Sequence, residues 1–165
     1  MPAHDVPIRV DHVGIAVQSV EDGEPLLTAL GCEKILDETV DDQFRWAYYE
    51  LGGASRIELI EPVADGTFLT EFLDDKGPGL HHVTLEVADI ERVIDAVEDA
   101  GFGVVEYVER EDWTEAFLSP ANPTGTLFQL MEFEDSYQRR RADVENLLVG
   151  GGFVSEVQNT SSDGG

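Results

Sequence analysis

Asp11-His12-Val13-Gly14-Ile15-Ala16-Val17 and His81-His82-Val83-Thr84-Leu85-Glu86-Val87 are the two stretches on which the fold turns, set 70 positions apart. Val13, Ile15 and Val17 in the first, and Val83, Leu85 and Val87 in the second, share one face by the two-residue period of a β-strand. His12 and His82 therefore face the other way. Self-similarity at a fixed offset marks an internal duplication, and the flanking residues extend it.

A helical pattern follows each run, over 20–30 and 90–100, with Leu26, Leu27 and Leu30 and then Val93, Ile94 and Val97 spaced for one face. Both stop at a glycine, Gly31 and Gly101, again 70 apart, where a left-handed C-terminal cap is expected. Three strands then close each unit, over 34–38, 45–51 and 56–60 in the first and 103–108, 115–118 and 126–131 in the second. Gly52-Gly53 and Asn122-Pro123-Thr124-Gly125 supply turns before the last of them. In those final strands Ile57, Leu59, Phe128 and Leu130 are expected under the helices, which leaves Glu58 and Gln129 on the face of the two histidines.

The pattern predicts an α+β fold of two tandem βαβββ modules, forming a curved mixed sheet around a central cleft. One domain covers 1–134, with repeats at about 9–62 and 79–134. The linker 63–78 carries an amphipathic turn, Phe68-Leu69-Thr70-Glu71-Phe72-Leu73, expected across the mouth of the cleft. A C-terminal helical extension is expected over 135–149, with its helix at 137–148, and then a flexible tail rich in Gly, Ser and Asn over 150–165.

Composition narrows the function classes. The 165 residues are 42% hydrophobic, enough to build a packed core. Thirty-five acidic residues against ten basic ones give a net charge of −25, spread along the chain. Such a surface repels nucleic acid and anionic membrane, so neither is expected as a partner. With two lysines, Lys34 and Lys76, the balance points to a halophilic protein, because salt screens self-repulsion. No apolar run approaches the roughly 18 residues of a membrane span, and residues 1–5 lack the features of a signal peptide, so a cytoplasmic location is expected. Cys32 is the single cysteine, which leaves no Cys-based zinc site; it reads as a small buried hydrophobe.

Four residues remain that can do chemistry together. If the two units face each other, His12 and Glu58 from one come opposite His82 and Gln129 from the other. A lone strand histidine is more often a hydrogen-bonded core or surface residue. Two at matching repeat positions, each with a polar residue from the matching final strand, are what a shared site requires. Two imidazoles, a carboxylate and an amide oxygen suit a first-row divalent metal ion such as Mn, Co, Fe, Ni or Zn, with positions open for water or substrate. His81, one residue before His82, is expected to point away and to be structural.

The same residues carry a family resemblance. The run from Gly77-Pro78-Gly79-Leu80 through Val87, the opening Asp11 to Val17, and Ile57-Glu58-Leu59-Ile60-Glu61-Pro62 resemble methylmalonyl-CoA epimerases and the wider vicinal oxygen chelate superfamily of glyoxalase I, bleomycin-resistance proteins and dioxygenases. The likeness covers about residues 9–134. In that epimerase pattern the first unit supplies His and Gln, the second His and Glu; here Glu58 and Gln129 exchange places between halves. The resemblance implies a small-molecule substrate, an acyl-CoA, and proton abstraction next to a carbonyl with the metal neutralising the charge that develops. Glu58 is then the catalytic candidate, the one carboxylate of the four. Phosphates of CoA seek cations, for which Arg45, Arg56, Arg110 or Arg139-Arg140-Arg141 are candidates. Relatives commonly pair, so a homodimer is expected. Alternative readings are a glyoxalase I-like lyase on a small oxoacid or thiol adduct, a ring-cleaving dioxygenase, and a non-catalytic binding module using Trp46, Tyr48, Trp113 and Phe117.

Overall fold

The computed structural model describes residues 3–51 and 55–134, together with two short strands, Leu148–Val149 and Gly152–Phe153. The first unit is β1 (Ile8–Ala16), α1 (Val20–Ala29), β2 (Glu33–Val40), β3 (Phe44–Leu51) and β4 (Ser55–Pro62). After α2 (Phe68–Lys76), the second repeats the order as β5 (Gly79–Val87), α3 (Ile90–Asp99), β6 (Val104–Glu109), β7 (Trp113–Leu118) and β8 (Leu127–Phe133). One eight-stranded mixed sheet results, in the order β2-β3-β4-β1-β5-β8-β7-β6. The expected α+β fold of two βαβββ modules is thus what forms, joined through the antiparallel pair β1 and β5.

The duplication reaches the hydrogen bonds. Gly31 and Gly101 both adopt positive φ, 92° and 87°, and both helices end in the same paired closure. Cys32 N–H donates to Leu27 O and Gly31 N–H to Thr28 O; Phe102 N–H donates to Val97 O and Gly101 N–H to Glu98 O. At the other end, Glu61 from β4 accepts from Val20 N–H at 2.8 Å, and Glu132 from β8 accepts from Ile90 N–H at 2.7 Å. Each final strand thereby ties a carboxylate to the positive end of its unit's helix.

Two cores lie on one side of the sheet. Val20, Leu27, Cys32, Ala47, Tyr49 and Leu59 close α1 over the first half, and Val87, Ile90, Val93, Ala116 and Leu130 close α3 over the second. Cys32 is buried, as expected. Leu26 and Leu30, expected on the core face of α1, are instead 65% and 61% exposed. The helix is oriented by Val20, Gly23 and Leu27: a Cβ on Gly23 would stand 2.9 Å from Leu59 Cδ1, so that glycine is the point of close approach.

A third core lies on the opposite face. There Leu69 and Leu73 of α2 pack on Ala16 and Ile60, the next residues on that face after Gly14 and Glu58. The linker therefore carries a full helix, capped by Thr67 and seated at one end of the histidine-bearing face. Leu148–Val149 pairs antiparallel with Gly152–Phe153, where a helix end and a tail were expected. The remainder of the expected 137–148 helix and of the 150–165 tail, like the Gly52-Gly53 turn, lies outside the described residues. No described helix is long and apolar enough to cross a membrane.

The duplicated tie predicts that Glu61→Ala and Glu132→Ala each lower the unfolding free energy by about 1 kcal/mol, as loss of a helix N-terminal acceptor does. Urea titration of the two variants checks this; a loss confined to one of them would show that the caps are not equivalent.

Candidate metal centre

The site forms at the seam between the modules, where β1 and β5 place Gly14 opposite His82 and His12 opposite Thr84. The pairing is interrupted twice, at Asp11 on β1 and at His81 on β5, each an extra residue against its partner strand. These positions are themselves 70 apart. A bulge turns two consecutive side chains toward one side of the sheet, so each histidine arrives with its preceding residue beside it. His81 consequently does not point away as expected: its Nδ1 lies 3.0 Å from His82 Nδ1, and its ring stands against Phe68 and Phe72 of α2.

His12, Glu58 and His82 are all buried and converge. Glu58 Oε2 lies 3.0 Å from His12 Nε2 and 3.1 Å from His82 Nε2, and the two Nε2 atoms are 3.4 Å apart. Donors about 2.1 Å from one cation and at right angles to each other stand about 3 Å apart, so the triangle has the dimensions of one face of a coordination shell. Among the described residues this is the one group of three or more His, Cys, Asp or Glu side chains close enough to share an ion. Gln129 stands one link further out. Its Oε1 accepts from Thr84 Oγ1 at 2.7 Å, and Thr84 Oγ1 is 3.0 Å from His12 Nε2.

Asp11 and Glu115 were not foreseen, and Arg56 and Tyr48 enter in roles other than those expected of them. Asp11 accepts from His12 Nδ1 at 2.7 Å and is clasped by Arg56, itself buried and 5.3 Å over the Tyr48 ring. A carboxylate on Nδ1, with Nε2 turned toward Glu58, is the arrangement that fixes the tautomer of a metal-binding histidine. Tyr48 OH is 3.5 Å from His12 Nε2, and Glu115, buried on β7, accepts from Gln129 Nε2 at 2.7 Å. Thr84 was within reach of sequence reasoning, being two positions after His82 on the same face. Arg56 and Glu115 carry no such local signal.

The electrostatics follow from these contacts. Burial alone would push the Glu58 carboxyl up, but hydrogen bonds from His12 and His82 hold it down at about 2. Burial opposes charge on His12 too, yet Asp11 and Glu58 raise its imidazole above the ordinary value. Asp11 is held low against burial by His12 and Arg56. His81 drops to about 4, first through burial and then through the neighbouring His82, so at neutral pH it is an uncharged ring able to accept from His82 Nδ1–H.

Two predictions follow from the geometry and its charges. A Cβ on Gly14 would stand far inside van der Waals contact of His82 Cε1, so Gly14→Ala must displace that imidazole; binding of Mn(II) or Co(II), read by calorimetry, is expected to weaken by at least about tenfold. In metal-stripped protein, the contributions of Glu58 and Asp11 are complete above pH 4.5 and vanish as pH falls toward their lowered values, whereas that of His12 is complete below 6.5 and vanishes as pH rises through its raised value. Stability is therefore expected to peak between these limits, with Glu58→Gln flattening both limbs in thermal denaturation.

Comparison with known proteins agrees with this architecture. The family model of the Glyoxalase/Bleomycin resistance protein/Dioxygenase superfamily matches residues 11–117. YqjC, an uncharacterized protein of Bacillus subtilis, is 31% identical over 128 residues, spanning 75% of this chain and 91% of that protein. Among solved structures, the hypothetical protein BH1468 of Bacillus halodurans superposes with a TM-score of 0.71 at 29% identity, over 80% of this chain and 99% of its own. A methylmalonyl-CoA epimerase of Streptomyces coelicolor, in complex with 2-nitronate-propionyl-CoA, superposes with a TM-score of 0.68 at 26% identity, over 79% of this chain and 98% of its own. With its paired βαβββ modules and a family match that covers most of the first module and continues into β7 of the second, the chain belongs to the glyoxalase/bleomycin resistance protein/dioxygenase superfamily.

Proposed function

We propose that this protein is a divalent-metal-dependent epimerase or isomerase that moves a proton on the carbon next to a carbonyl, with short-chain acyl-CoA as its substrate class. The convergence of His12 Nε2, His82 Nε2 and Glu58 Oε2 carries the proposal, because three donors on one side of a point leave the other side open to substrate. The likeness to an epimerase bound to an acyl-CoA analogue supports the reaction class. When bound, Mn, Co, Fe, Ni or Zn would supply Lewis acidity to the carbonyl oxygen and so acidify the neighbouring C–H.

The protein's own groups do the rest. Asp11 and His81 fix the Nδ1 sides of His12 and His82, keeping both Nε2 atoms turned inward. Gln129 offers a neutral oxygen. Glu58 is the carboxylate placed to take the proton. Held at about 2 by two imidazoles, it serves first as a ligand and accepts the proton only after turning from them. Tyr48 stands on the same face, its hydroxyl directed at His12.

A second reading gains weight from the cations. Arg9, Lys34, Arg45, Arg56, Arg92 and Arg110 each lie against a carboxylate, Arg45 against both Asp37 and Glu21. A phosphate bound at any of these six described cations would have to displace such a partner, which favours a smaller oxoacid or thiol adduct handled as in a glyoxalase I-like lyase.

Solvent deuterium entering methylmalonyl-CoA, followed with the metal-loaded protein, tests the proposal. Wild type is expected to exchange and Glu58→Gln to be slower by at least about 100-fold. Equal rates would remove Glu58 from the proton-moving role. Metal uptake with turnover of a hemithioacetal alone would establish the second reading.

A further inference from the structure

We propose that Glu115 is a positioning residue that decides which end of the Gln129 amide faces the two imidazoles, and so makes Gln129 an oxygen donor to the metal centre. The proposal rests on the metal reading above and adds a residue that this reading does not use. An amide presents either a carbonyl oxygen, which can ligate a cation, or an NH2 group, which cannot. The two ends differ little in shape, so their orientation is set by hydrogen-bond partners.

The partners of Gln129 are not equivalent in this respect. Thr84 Oγ1 can donate or accept, and therefore tolerates either end of the amide. A carboxylate only accepts. Glu115 Oε2 takes the NH2 end at 2.7 Å, which obliges Gln129 Oε1 to point back toward Thr84 and, beyond it, to His12 Nε2. The other Glu115 oxygen accepts from Arg110 Nε at 2.7 Å, so both are engaged. Glu115 is buried whereas the Arg110 side chain is 45% exposed; the carboxylate is sunk toward the amide, and the cation stays at the surface. A buried carboxylate is costly unless its hydrogen bonds are complete, and here the inner one goes to Gln129.

The other half of the molecule supplies the control. Gln129 pairs across strands with Phe117, and Glu115 is two residues before it; Glu58 pairs with Tyr48, and Trp46 is two residues before that. The position equivalent to Glu115 is therefore an indole. That half needs no orienting acceptor, since the two oxygens of Glu58 are interchangeable. The carboxylate stands behind the amide and not behind its counterpart, as an orienting role requires.

The test combines an amide signature with a metal-binding cycle. In metal-free protein labelled with 15N-glutamine, the NH2 signal lost in Gln129→Ala is expected to be shifted and protected from exchange. It should become solvent-like in Glu115→Met, which fills the same space without accepting, and be kept in Glu115→Gln, whose own oxygen can accept. Mn(II) affinity by calorimetry is expected to fall about 10- to 100-fold in Glu115→Met and to return to within about threefold of wild type in Glu115→Gln. Arg110→Ala, which breaks the ion pair and spares the amide, should stay within about twofold. Because Glu115 acts through Gln129, the double variant Glu115→Met/Gln129→Ala should bind no more weakly than Gln129→Ala alone. Additive losses, or unchanged affinity and signal in folded Glu115→Met, would overturn the proposal. Failure of wild type to take up Mn(II), Co(II) or Zn(II) would instead overturn the metal centre itself, and with it the role given to Gln129.

Discussion

The antiparallel contact of β1 with β5 is the constraint on which the rest depends, because it is both the joint between the two modules and the floor of the site. Gly14 faces His82 across that joint, and the imidazole occupies the space a larger residue would fill. Neither module alone presents more than one imidazole nitrogen to the Glu58 carboxylate or more than one final-strand donor. The cluster of His12, His82 and Glu58 therefore exists only when both halves are folded and in register, and a one-residue slip of β1 against β5 would leave the two histidines on opposite faces of the sheet. The bulges at Asp11 and His81 lock that register while bringing a supporting side chain alongside each ligand candidate.

Symmetry holds where the halves carry structure and fails where they carry chemistry. The C-terminal glycine closures of the helices and the carboxylate ties of Glu61 and Glu132 correspond almost atom for atom. At the site the matching positions differ in kind: Asp11 against a neutral His81, Glu58 against Gln129, Trp46 against Glu115. The proposed donor set, two imidazoles, one carboxylate and one amide, would offset one of the two positive charges of a divalent cation. The remaining charge suits an oxygen that becomes anionic during reaction, which is the demand of proton removal beside a carbonyl.

Much of this was legible because it rests on short periods. The two-residue alternation around His12 and His82, repeated at 70, sufficed to place the sheet's center, and the matched final strands put Glu58 on the right face. The bulges were not legible, since an extra residue is defined only against the partner strand; His81 was assigned to the wrong side for that reason. Leu26 and Leu30 misled because Gly23, by permitting close approach to Leu59, rotates α1 away from its most apolar stripe. Arg56, in its pairing with Asp11 in place of the phosphate role expected for that arginine, and Glu115 escape the sequence for another cause. Their partners are 45 and 14 residues distant, and a search for matching positions passes over residues whose counterparts differ.

Charge joins the site to its surroundings. With a net charge of −25 the surface opposes the approach of any anionic substrate, and the arginines among the described residues that might counter this locally are held by carboxylates. Both obstacles are functions of ionic strength. At about 1 M salt the screening length shrinks to about 3 Å, which removes long-range repulsion and loosens exposed pairs such as Arg45 with Glu21, yet leaves the buried Asp11 and Arg56 pair largely intact. A phosphate-bearing acyl substrate and a high-salt setting are consequently one hypothesis and not two: the composition that repels such a ligand in dilute buffer ceases to do so under the conditions that the same composition favours.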